Sequence, residues 1–230
     1  KNEGFTAYDI SGSSMDFNTM YYYLREAYRT QHPKVVVIDI LLMGNSGTTL
    51  DDIQMRNIMD MPFGANKIAA SMSKNIIPVS REKVLFPMEQ FHSRIFSSRE
   101  VTSTAYLRKK FLHESENVFM GYRYLSSSEH IVPITNMQKF DEKLFDRHYA
   151  ELRRSLDFLK KQNCKVLLVN TPSDRLNYLT LYENELEKRV TGRYDNVSFL
   201  WPRAYKSRFI INYKKEMLDH THLNAEGAER

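Results

Sequence analysis

The stretch Lys34-Val35-Val36-Val37-Ile38-Asp39-Ile40 is the part of this chain whose reading decides the fold. It is continuous, β-branched and apolar on both faces of its alternation, the composition that a strand buried inside a parallel sheet requires. Pro33 precedes it as a stop signal for a helix. That helix is expected over Asn18–Thr30, where Met20, Tyr23, Leu24, Ala27 and Tyr28 recur at spacings of three and four. Upstream, Phe5–Ile10 reads as a short strand running into the turn cluster Ser11-Gly12-Ser13-Ser14. Strand, helix and strand make a βαβ unit, whose crossover is right-handed almost without exception.

The same rhythm returns in the second half. Asp141–Gln162 predicts a long helix, with Leu144, Tyr149, Leu152, Leu156 and Leu159 on its apolar side. Lys165–Val169 is a second buried strand, followed by Asn170-Thr171-Pro172-Ser173. Leu181–Val190 reads as a helix and Val197–Trp201 as a third strand. Between the halves, residues 41–135 predict a helical and loop insertion. Short helices are expected over Asp51–Met59, Asn66–Lys74, Phe86–Phe96 and Thr104–Phe111, and a loop over Ser126–His130. The expectation is one α/β domain over residues 1–230, a three-layer αβα arrangement around a flavodoxin-like parallel sheet.

Composition narrows the classes. The 230 residues suffice for one sizeable core, and 42% hydrophobic with 27% charged residues is the balance of a globular domain. The net charge of +5 is spread over short pairs and triplets such as Arg108-Lys109-Lys110 and Arg153-Arg154, not gathered into the dense stripe of a nucleic-acid binder. No nucleic-acid partner is expected, and the charge suits weak attraction to an anionic envelope or polymer. The single cysteine, Cys164, excludes an intrachain disulfide and a Cys-xx-Cys metal site, and its position before an apolar run places it in the core. No run of 18 apolar residues is present. The chain starts at Lys1 and stops inside what reads as the first turn of a helix, so an N-terminal segment with a first strand and an anchor or signal is expected to precede it.

The chemistry concentrates near the C-terminus, in Asp219-His220-Thr221-His222-Leu223-Asn224-Ala225-Glu226-Gly227-Ala228. An ester hydrolase needs a nucleophile, a base and a carboxylate that orients the base. Asp219 and His222, three residues apart in a loop entering a helix, provide the last two on one element. Their spacing alone also fits an ordinary helix N-terminus. His220 and His222 with Asp219 form the beginning of a metal site, although no further ligand stands nearby.

This C-terminal string resembles the final block, D-xx-H-L-N-xx-G, of the SGNH/GDSL hydrolase superfamily. The chain is similar in particular to bacterial cell-envelope members distantly related to the teichoic-acid D-alanylation protein. The strings that carry the resemblance in order are Tyr21–Ala27, Pro33–Asp39, Phe91-His92-Ser93-Arg94, Gly121-Tyr122 and Val166–Ser173. It implies the SGNH fold and an esterase or O-acyltransferase acting on acyl esters of a cell-surface polysaccharide or teichoic acid. It also implies an extracytoplasmic location, with a membrane tether through an N-terminal anchor, and neither metal nor organic cofactor. In that family His222 is the base and Asp219 its orienting acid. Ser11 or Gly12 lends a backbone N–H to the oxyanion hole. Asn45, although without the acidic partner usual for its block, adds a side-chain donor or forms a plain turn, and in the His92–Arg94 string Arg94 holds an anionic group of the polymer or a structural salt bridge. Gly12-Ser13-Ser14 matches the first block superficially and makes Ser13 a candidate nucleophile. The short distance to Lys34 instead places Tyr8–Ser14 at the second block, with the nucleophile upstream of Lys1. The alternative function is an inert SGNH-fold binding or assembly protein of the envelope.

Overall fold

The computed structural model describes residues 6–12, 14–44, 52–73, 81–85, 118–119, 122–123, 140–171, 176–201 and 213–216. The chain divides into two compact units. The first comprises Lys1–Met15 with Thr48–Tyr124, and the second Asp16–Gly47 with Leu125–Arg230.

The second unit is α/β. Its elements are α1 (Phe17–Ala27), β1 (Val35–Asp39), a 3-10 turn (Leu41–Gly44), α5 (Glu142–Lys161), β4 (Lys165–Val169), α6 (Leu176–Val190), β5 (Val197–Leu200) and the short α7 (Tyr213–Glu216). β1, β4 and β5 form a parallel sheet in that order, with Val35 opposite Lys165 and Val166 opposite Val197. Local chemistry explains the boundaries. Asp16 caps α1 by accepting from the N–H groups of Asn18 and Thr19. Asp141 caps α5 by accepting from Leu144, while Glu142 and Lys160-Lys161 match the two ends of the helix dipole. α5 stops at Asn163, whose φ of +53° sets a left-handed turn. The Cys164 and Asn163 N–H groups then close back onto the Leu159 and Lys160 carbonyls, and the chain enters β4 directly. After α6 the same task falls to Gly192, at φ +81°.

One core holds these elements together. Phe17 and Leu24 of α1, Phe145, Leu152, Leu156 and Leu159 of α5, and Tyr182, Leu186 and Val190 of α6 meet Ile38, Val166 and Leu168 of the sheet. Cys164 is buried here as expected. The stepwise order β1-β4-β5 accounts for this single-sided packing. Right-handed crossovers that all advance in one direction place α5 and α6 on the same face of the sheet. The expectation that β1 is covered on both faces is therefore corrected. Ile38 is 3% exposed, but Val35 and Val37 on the opposite face are 54% and 60% exposed. The run is hydrophobic on both faces, and the direction in which the sheet grows decides which of them finds a helix.

The first unit contains α2 (Asp52–Asp60), α3 (Ala65–Ser71), α4 (Arg81–Leu85) and the two-residue strands β2 (Val118–Phe119) and β3 (Tyr122–Arg123), paired antiparallel. The three helices contact one another and bury Ile58, Met59, Met61, Ala70 and Val84. The Lys67 ammonium donates to the Met59 carbonyl at 2.6 Å, tying α3 to the end of α2, and burial lowers its pKa against the opposing effect of Asp60. The predicted strand over Phe5–Ile10 is also corrected, for residues 6–10 take no strand structure and are exposed. A strand needs a ladder partner, and this segment has none among the described residues. The Asp9 carboxylate instead accepts from the Ser11 N–H and turns the chain. The helices expected at Phe86–Phe96 and Thr104–Phe111, and the loop at Ser126–His130, lie outside the described residues.

Candidate functional site

In a parallel sheet the carboxyl ends of the strands are where ligands are received, and at that edge the second unit changes character. On the open face of β1 the residues are Val35, Val37 and then Asp39. On the same face of β4 they are Lys165, Leu167 and Val169, with Thr171 next beyond the strand. The row of β1 ends in Asp39, level with Val169, and that of β4 ends in Thr171, two residues further on. The Thr171 hydroxyl donates to Asp39 Oδ2 at 2.5 Å, and the Leu41 N–H donates to Asp39 Oδ1 at 2.8 Å. The second bond bends the chain into the 3-10 turn, which the buried Met43 anchors in the core through its N–H to the Ile40 carbonyl.

On the covered face, Asn170 donates from Nδ2 to Glu183 Oε1 of α6 at 2.7 Å, and both residues are buried. Asn170 Oδ1 is buried with no hydrogen-bond partner among the described residues. The Asn170 N–H reaches the Leu200 carbonyl, so the end of β4 is held by both neighbouring strands. The Trp201 indole N–H donates to Glu187, one turn along α6 from Glu183.

Asp39 is exposed by surface area, yet desolvation by the protein around it raises its carboxyl pKa above the usual aspartate value. The bonds from Thr171 and from the Leu41, Thr171 and Ile40 amides work against that rise. Both of its oxygens accept hydrogen bonds, Oδ2 from Thr171 and Oδ1 from Leu41.

Of the residues singled out in the sequence, Ser11 and Gly12 are described, and both belong to the first unit. The Ser11 N–H is committed to Asp9. The Gly12 carbonyl accepts from Met15, and the adjoining Ser14 carbonyl accepts from Gln54 of α2. Gly12 lies so close to α2 that a Cβ there would fall 1.8 Å from Asn57 Oδ1, which gives this glycine a packing reason. Ser13, Asn45, His92, Arg94, Asp219 and His222 lie outside the described residues. Asp39 and Thr171 are the additions that structure makes. Their signal in the sequence was a lone carboxylate closing an otherwise apolar strand.

Among the described residues no group of three or more His, Cys, Asp or Glu is placed to hold a metal ion. No described helix is long and apolar enough to cross a membrane. Compared with protein-family models, with curated proteins and with solved structures, the chain matches none.

Proposed function

We propose that this chain is a serine esterase or O-acyltransferase of the SGNH/GDSL type. Its substrates are acyl esters of a cell-surface polysaccharide or teichoic acid, and it works outside the cytoplasm on a membrane tether. The observation that carries the reading is the parallel order β1-β4-β5 with Asp39, Asn170 and Thr171 gathered at its carboxyl edge. A hydrolase built on such a sheet assembles its site from the loops that leave this edge. The full three-layer αβα arrangement is part of the same proposal, and it requires cover on the Val35–Val37 face of β1 that the described residues do not supply.

In this reading His222 takes the proton of a serine nucleophile, Ser13 or a serine upstream of Lys1, and Asp219 holds the imidazole in the required tautomer. The oxyanion is held by a backbone N–H of the Ser11-Gly12 turn together with Asn45. Since the Ser11 N–H already donates to Asp9, the reading relies on Gly12. His92 and Arg94 engage the anionic polymer.

The test is labelling of the full-length protein by a fluorophosphonate, with the modified serine located by peptide mass spectrometry. Stoichiometric labelling that falls by about a thousandfold or more in His222→Ala supports the reading. Absence of labelling in the wild type overturns it in favour of an inert binding or assembly protein on the same fold. That second reading draws on the commitment of the Ser11 N–H to Asp9.

A further inference from the structure

The ladder between β1 and β4 pairs every residue from Val35 to Asp39, and the Ile40 N–H extends it by one more bond to the Val169 carbonyl. These strands need no side-chain help to stay together. The Asp39–Thr171 bond lies just past that ladder, on solvent-exposed groups, where one hydrogen bond contributes only about 1 kcal/mol. Its geometric effect is larger than its energy. A single carboxylate accepts from the first residue of the turn leaving β1 and from the first free side chain on that face beyond β4. It therefore sets the exit directions of two neighbouring chain segments relative to each other. The polar pair also follows the last apolar residue of each row, Val37 and Val169, so it is no extension of the hydrophobic packing.

We infer that Asp39 and Thr171 are positioning residues for the reaction proposed above, a latch that holds the two strand exits in the geometry the site requires. The inference rests on that functional reading. Neither residue touches the reacting atoms in this scheme. A displacement of about 1 Å in a catalytic arrangement costs up to about a hundredfold in rate, far more than the bond contributes to stability.

The experiment measures hydrolysis of p-nitrophenyl acetate, fluorophosphonate labelling rate and thermal midpoint in the full-length wild type and four variants. Thr171→Val and Asp39→Ala break the latch, whereas Thr171→Ser and Asp39→Asn keep a group able to bridge. The expected result is a fall in kcat of tenfold or more in the two breaking variants, with KM within twofold and folding midpoints lowered by only about 2–4 °C. Thr171→Ser is expected to recover most of the rate. Turnover in the wild type with undiminished kcat in Thr171→Val and Asp39→Ala overturns the latch and leaves the proposed function standing. So does a rate loss that only tracks loss of folded protein, or a Thr171→Ser variant as impaired as Thr171→Val. A wild type that neither labels nor turns over overturns the functional reading and the latch with it.

Discussion

Asp16 carries the N-terminus of α1 on a carboxylate that is 6% exposed. It accepts from two backbone N–H groups and from the Thr19 hydroxyl at 2.6 Å. Burial raises its pKa, with a further push from Glu151, and the hydrogen bonds only partly offset this. The folded chain thus binds this proton more tightly than the unfolded chain does. The resulting stabilisation is complete below the ordinary value of 3.8 and is lost as pH rises through the raised folded value. Asp16→Ala is expected to cost about 0.5–2 kcal/mol through loss of the cap, while Asp16→Asn stays within about 0.5 kcal/mol of wild type at pH 7. In urea unfolding across pH 3.5–7, the stability of wild type relative to Asp16→Asn should decline as pH rises. A flat difference contradicts the assignment. Asp16 was legible as a polar residue before an apolar helix, but its burial was not, because burial depends on α5 beyond it. There Arg154 donates to Asn18 and lies over the Tyr21 ring.

At the scale of elements, the turn at Gly12 gives the sharpest test. Gly12→Ala drives a methyl group into Asn57 and is expected to cost about 1–3 kcal/mol. The penalty should largely vanish when the same change is made on an Asn57→Ala background, measured as a double-mutant cycle by chemical denaturation. Equal penalties on both backgrounds would show that the glycine serves another purpose. Elements with strong periodicity were legible in the sequence. Lys165–Val169 has the bounds read from its apolar run, and the expected Asp141–Gln162 helix differs from Glu142–Lys161 by one residue at each end. The helix read from Leu181 begins five residues earlier, at Leu176. The strand expected at Phe5–Ile10 failed for the opposite reason. Tyr8 and Ile10 have strand-forming side chains, but they stay 69% and 46% exposed without a ladder to join.

For the molecule as a whole, the deciding property is the direction in which the sheet is laid down. Composition and pattern gave parallel strands, but the order β1-β4-β5 and the side left uncovered are tertiary facts that no single strand encodes. Substitutions on the two faces of β1 should separate cleanly. Ile38→Ala is expected to cost about 2–4 kcal/mol. Val37→Thr, one residue away on a 60% exposed side chain, should change stability by no more than about 0.5 kcal/mol. Denaturant midpoints of the two variants check this, and a comparable loss in both would mean that the Val37 face is covered in solution. Of the candidate site, the polar stretch Asn170–Ser173 following an apolar run was legible in the sequence. The bond joining Asp39 to Thr171 was not, because the two residues are adjacent only through the pairing of β1 with β4.

That pairing also orders events in time. Joining Val166 to Val197 closes a loop about one quarter as long as joining Val35 to Lys165. The longer closure costs roughly 1.2 kcal/mol more in chain entropy, about two doublings of loop length. The β4–α6–β5 crossover unit is therefore the natural nucleus, and β1 arrives late, carrying α1 with it. The Asp39–Thr171 bond can form only in that last step, so the edge that bears the candidate site is completed when the sheet itself is.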